Sequence, residues 1–95
     1  MFIVLLTYLK PLDVIDQHLA EHRAFLEEGY QHDYFVASGP CEPRTGGVII
    51  SQLKDREQLN EILSRDPFAL HHLAKYEVIA FNPVKYHRDF KTFIV

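Results

Sequence analysis

Residues 18–22 read HLAEH, two histidines about one helical turn apart with a glutamate between them. The string fits H-x-x-E-H, a pattern in which paired imidazoles hold a catalytic zinc ion. A peptidase of that kind also needs a distant acidic ligand and a cleft wide enough for a peptide. A chain of 95 residues offers little room for either. A simpler metal site would combine His18 and His22 with His71 or His72. Imidazole also titrates near neutral pH, so His22 could take and return a proton during a reaction. Its plainest use is as a core histidine satisfied by a neighbour.

Other residues could contribute to a site. Ser38 and the backbone at Gly39 could hold a substrate oxygen, although a strand end that simply turns explains them as well. Arg44, in the loop PRTGG, could bind an anionic or phenolic group, whereas exposed loop arginines are usually solvated. His71 and His72 follow Asp66 closely and could enter the same pocket. Cys41 has no activating partner nearby in sequence, so it reads as a bystander thiol. Tyr8 and Tyr34 read as core residues. No G-x-G-x-x-G or P-loop pattern occurs, and no cofactor is expected.

Positioning such groups requires a frame, and hydrophobic patterning supplies one. FIVLLTYL (2–9) is rich in β-branched and aromatic residues and stops at Lys10-Pro11, so it predicts a strand. Asp13 is the expected N-cap of a helix running from Val14 to about Glu28, ending at Gly29 or a turn later at His32-Asp33. At about 100° per residue, Leu12, Val14, Ile15, Leu19, Phe25 and Leu26 share one arc. His22 falls near its centre and His18 on its flank, so His22 should point inward.

YFVAS (34–38) and GVIISQL (47–53) predict two further strands. Asp55 with Gln58 resembles a capping box for a helix bearing Leu59, Ile62 and Leu63. Asp66-Pro67 starts a short helix with an N-cap and a first-turn proline. YEVIAFNPV (76–84) predicts a fourth strand, followed by a tail with Phe90, Phe93, Ile94 and Val95.

The order β-α-β-β-α-β predicts an α+β, ferredoxin-like fold in one domain over residues 1–95, with both helices on one face of a four-stranded antiparallel sheet. The first strand is apolar at nearly every position, the mark of a strand covered on both sides. One chain has no third layer to cover the second face, and a large apolar patch marks an interaction surface. The expectation is a homodimer through the open sheet face, a dimeric α+β barrel, with the apolar tail as a clasp.

Composition narrows the function classes. Hydrophobic residues make up 47% and charged residues 24%, as in a soluble globular chain. A net charge of −3 without a Lys/Arg cluster argues against nucleic acid. The apolar opening is shorter than the roughly 20 residues of a membrane span and lacks a basic flank and a cleavage signal. With one cysteine, the expectation is a cytoplasmic protein with no membrane partner.

The segment HRAFLEEGYQHDYFVASGP, the short opening strand, PRTGGVII and RDPF together resemble the YCII-related family of small dimeric α+β barrel proteins. The resemblance spans most of the chain. The family's helix-1 histidine falls on His22, its strand end on Ser38, Gly39 and Pro40, and its D-P-[FY] motif on Asp66, Pro67 and Phe68. Asp33 replaces the usual turn glycine, which Asp can tolerate. The resemblance implies a His–Asp general acid/base pair, His22 with Asp66, in a pocket. It makes His18 extraneous.

Such an aspartate would fix the imidazole tautomer and stabilise the imidazolium. Capping would use one Asp66 oxygen and leave the other for His22. The implied function is a small cofactor-independent enzyme that performs elimination or isomerisation on a small, cyclic or aromatic molecule; some relatives eliminate chloride from a chlorinated hydroxyquinol. The alternative is a non-catalytic small-ligand-binding or accessory homodimer of the same fold. A cofactor-free monooxygenase is a third reading that rests on fold alone.

Overall fold

The computed structural model describes residues 1–94. Strands β1 (Phe2–Tyr8), β2 (Phe35–Pro40), β3 (Gly46–Ser51) and β4 (Ala74–Ala80) form one antiparallel sheet in the order β2-β3-β1-β4. Helices α1 (Leu12–Gln17) and α2 (Leu19–Gln31) join β1 to β2. Helices α3 (Arg56–Ser64) and α4 (Pro67–Leu70) join β3 to β4, giving the ferredoxin-like order. A 3-10 helix, Arg88–Phe93, carries the aromatic residues of the tail, and Val95 lies outside the described residues.

The alternation along β1 sorts its side chains between two faces. Phe2, Val4 and Leu6 are buried against the helices, with Ile15, Leu59, Ile62, Leu63 and Phe68. Burying each such side chain contributes roughly 1.5–3 kcal/mol. Ile3 and Leu5, on the opposite face, are only half-buried; Ile3 lies beside Ile50 and Ile79, and Leu5 beside Val48. No helix among the described residues is long and apolar enough to cross a membrane.

The first helical segment departs from expectation. Helix α1 begins at Leu12, so Asp13 lies inside its first turn instead of capping it, and Pro11 takes the cap position without a side-chain hydrogen bond. The helix then breaks at His18 (φ −112°, ψ 7°), whose N–H donates to the Ile15 carbonyl. No proline or glycine marks this break in the sequence.

Helix α2 runs past Gly29 to Gln31. Gly29 is there because the buried Phe35 ring occupies the space of a side chain: a Cβ would stand 2.2 Å from it. Asp33 takes the left-handed conformation expected of it (φ 58°), and so begins the turn into β2. That turn excludes Tyr34 from the strand, and pairing with β3 extends β2 to Pro40. Strand β3 starts one residue and ends two residues earlier than predicted. Strand β4 ends at Ala80, before Pro83, which has no N–H for a ladder.

Candidate active site

Asp66 is the hub of the candidate site. Its φ of −60° and ψ of 128° place it just outside α4, with Pro67 at the first helical position. The side chain is fully buried, yet three donors satisfy it. Oδ1 accepts the Phe68 N–H at 3.0 Å and also pairs with His22 Nδ1 at 2.8 Å. Oδ2 accepts the Tyr76 hydroxyl at 2.6 Å. The expected division, one oxygen for the cap and the other for the histidine, is therefore corrected. A single oxygen serves both, because Tyr76 occupies its twin.

His22 is the fourth residue of α2, at the end of its first turn, with its side chain 12% exposed. Asp66 acts as an acceptor towards Phe68 and Tyr76; the same role towards His22 puts a proton on Nδ1, and Nε2 is the ring nitrogen that Asp66 does not engage. The ring is stacked on Phe68 at a centroid separation of 4.0 Å. Burial, then the adjacent Asp66 charge, pushes the Tyr76 phenol far above its ordinary value. Tyr76 therefore remains a donor.

Tyr76 was not singled out by sequence. The available signal was the β4 pattern, in which Ala74, Tyr76 and Val78 alternate with more exposed residues, because a tyrosine on an inner face needs a partner for its hydroxyl.

His22 and Phe68 line a cavity of about 510 Å³ with Ser38, Gly39, Arg44 and Tyr8. The cavity thus brings together three of the four residues considered for substrate binding. Arg44 does not dangle in solvent: its guanidinium donates to Asp16 Oδ1 at 2.5 Å and lies 5.9 Å from the centre of the Tyr8 ring. This hydrogen bond holds the Asp16 carboxyl below its usual range. Tyr8, read from sequence as core, is half-buried and forms part of the cavity wall. The Ser38 hydroxyl shares a 2.7 Å hydrogen bond with that of Tyr30.

His71 is not brought into this cavity; its ring stands 4.2 Å from that of His18. The metal pairing of His18 with His22 is replaced by two separate arrangements, His22 with Asp66 and His18 with Glu21 and His71. The smaller hollows of about 300 and 230 Å³ are lined by neither His22 nor Asp66.

Among solved structures, the chain resembles a 5-chloro-2-hydroxyhydroquinone dehydrochlorinase from Burkholderia phenoliruptrix AC1100 in complex with 2,5-dihydroxybenzoquinone. The TM-score is 0.71 at 20% sequence identity, over 86% of this chain and 94% of that one. At this identity the likeness establishes a shared fold. No curated protein sequence matches the chain. The YCII-related domain matches residues 1–82, which carry the whole sheet, all four helices and both members of the His22–Asp66 pair, and the chain belongs to that family.

Proposed function

We propose that this protein is a small acid/base enzyme in which His22 moves a proton and Asp66 positions it, acting on a small cyclic or aromatic molecule. The observation that carries the reading is the 2.8 Å contact between His22 Nδ1 and the buried Asp66 carboxylate, with the His22 side chain lining a 510 Å³ cavity. With Nδ1 engaged, Nε2 is the nitrogen available to a substrate.

In an elimination, Nε2 takes a substrate proton, the released electron pair forms a new double bond, and the leaving group departs with its bonding electrons. Asp66 stabilises the resulting imidazolium. An isomerisation returns the proton to a different atom. Neither reaction transfers net electrons. Arg44, braced by Asp16, supplies the positive charge suited to a phenolate or enolate oxygen. The dehydrochlorinase of similar fold makes chlorinated hydroxyquinols the first substrates to try.

We further propose a homodimer formed through the open sheet face and, from the single cysteine, a reducing, cytoplasmic compartment. Ile3, Leu5, Val48, Ile50 and Ile79 form a contiguous apolar area on the sheet face away from the helices. A partner's sheet would cover it. A monomer at micromolar concentration in sedimentation would remove this part.

A non-catalytic ligand-binding protein is the second reading. It is favoured by one observation, that Asp66 commits both oxygens to internal contacts. The test is chloride release from chlorinated hydroxyquinols by the wild type and by His22→Ala, with circular dichroism confirming that both are folded. The enzymatic reading expects the variant to be slower by about 10²–10⁴-fold. Equal rates, or ligand binding without turnover in either protein, would favour the binding reading.

A further inference from the structure

We propose that His18, Glu21 and His71 form a binding site for one borderline divalent transition-metal ion, of the Zn2+, Co2+ or Ni2+ type, separate from the His22–Asp66 pair. Each of the three offers a ligand atom, and these atoms lie within 4.8 Å of one another. His18 stands at the break between α1 and α2, Glu21 in the first turn of α2, and His71 at the end of α4. Packing of α2 against α4 therefore makes the site, which no run of sequence displays.

Two features separate this cluster from an ordinary surface group. First, His18 Nδ1 is buried and has no hydrogen-bond partner among the described residues. The closest carboxylate oxygen, Glu21 Oε2, is 3.6 Å away, beyond hydrogen-bonding reach. A buried polar atom left without a partner is uncommon and calls for a physical reason, and a role as a metal ligand is one such reason. Second, the imidazoles of His18 and His71 lie 4.2 Å apart, tilted by 31°. Rings packed this closely bring two nitrogen donors from different helices to one place.

Donor chemistry sets the class of ion. Two imidazoles and one carboxylate suit zinc and its neighbours in the transition series; calcium and magnesium select all-oxygen sets. Metal–nitrogen bonds of about 2.0–2.1 Å in a tetrahedron require donors roughly 3.3–3.5 Å apart. From a 4.8 Å spread, small side-chain rotations of Glu21 and His71, both exposed, close the gap. Water would complete the coordination.

The test is isothermal titration of metal-free full-length protein with Zn2+ near neutral pH, repeated with Co2+ to read its visible absorption. The expectation is saturable uptake of one ion per chain. Uptake should be lost in His18→Ala and His71→Ala and weakened in Glu21→Gln, while His72→Ala, altered at the neighbouring exposed histidine, binds as the wild type does. Glu21 and His71 are exposed, so their variants remain informative if His18→Ala fails to fold. Absence of saturable uptake, unchanged uptake in His71→Ala, or equal loss in His72→Ala would each overturn the assignment. So would loss in His22→Ala with retention in His71→Ala.

Discussion

The ring of Phe68 lies flat against the imidazole of His22, with centroids 4.0 Å apart and planes within 6° of parallel. Asp66 holds the same imidazole through Nδ1. Two residues of one tripeptide, Asp66-Pro67-Phe68, thus fix a ring supplied by another helix, one through its edge and the other through its face. Phe68 is only 1% exposed, so this support is part of the core.

Phe68→Leu keeps an apolar group in place but removes the flat surface. Stability should fall by about 1–2 kcal/mol, combining a near-isosteric core exchange with loss of the ring pair. The ring protons of His22 should move downfield in NMR spectra as the shielding from Phe68 disappears. Unmoved His22 resonances would show that the two rings do not stack in solution.

Asp66→Ala leaves three donors facing an apolar methyl group. Loss of an N-cap costs about 1 kcal/mol, and each buried donor left unpaired costs about 1–3 kcal/mol. Allowing for relaxation, the total should be about 3–5 kcal/mol, read from urea denaturation. Asp66→Asn retains one acceptor oxygen and should lie between the alanine variant and the wild type. An alanine variant within about 1 kcal/mol of the wild type would contradict the three-way arrangement.

Tyr76 sets an alkaline limit. Its phenol is raised above the ordinary value of about 10 in the folded chain, first by burial and then by Asp66. A raised folded pKa gives stability that is complete below the unfolded value and is lost as pH climbs beyond it, because the unfolded state releases the proton first. Wild-type stability should therefore fall above about pH 10 more steeply than that of Tyr76→Phe. Parallel stability curves for the two proteins between neutral pH and that region and beyond would rule the effect out.

Gly46 marks a close approach between strands. A Cβ there would stand 1.7 Å from the Leu6 carbonyl oxygen, which is backbone and cannot swing aside. Gly46→Ala should cost about 3 kcal/mol, at the upper end of overpacking, and part β3 from β1 beside the cavity. Thermal denaturation checks this, and an unchanged midpoint would mean that the strands are not so close.

Local rules made much of this molecule legible. Asp-Pro announced the start of α4, the apolar arc turned His22 inward, and the alternation of apolar strands with helical spacing gave the βαββαβ order. What stayed hidden depends on how elements pack against one another. Tyr76 reaches Asp66 because the chain turns back after α4 into β4, with Tyr76 among the less exposed residues of that strand. Arg44 is braced only because the β2–β3 loop meets Asp16 of α1. The break at His18 had no proline or glycine to signal it, and it changed both the start of the helix and the partners of that histidine. Sharing of one Asp66 oxygen followed from Tyr76, so it was no easier to foresee.

That sharing makes the two partners unequal. Asp66 caps α4 as well as meeting the imidazole, so replacing it disturbs a helix start together with the pair. No helix cap depends on the His22 side chain. Position 22 is therefore the place where the proposed chemistry can be separated from the architecture.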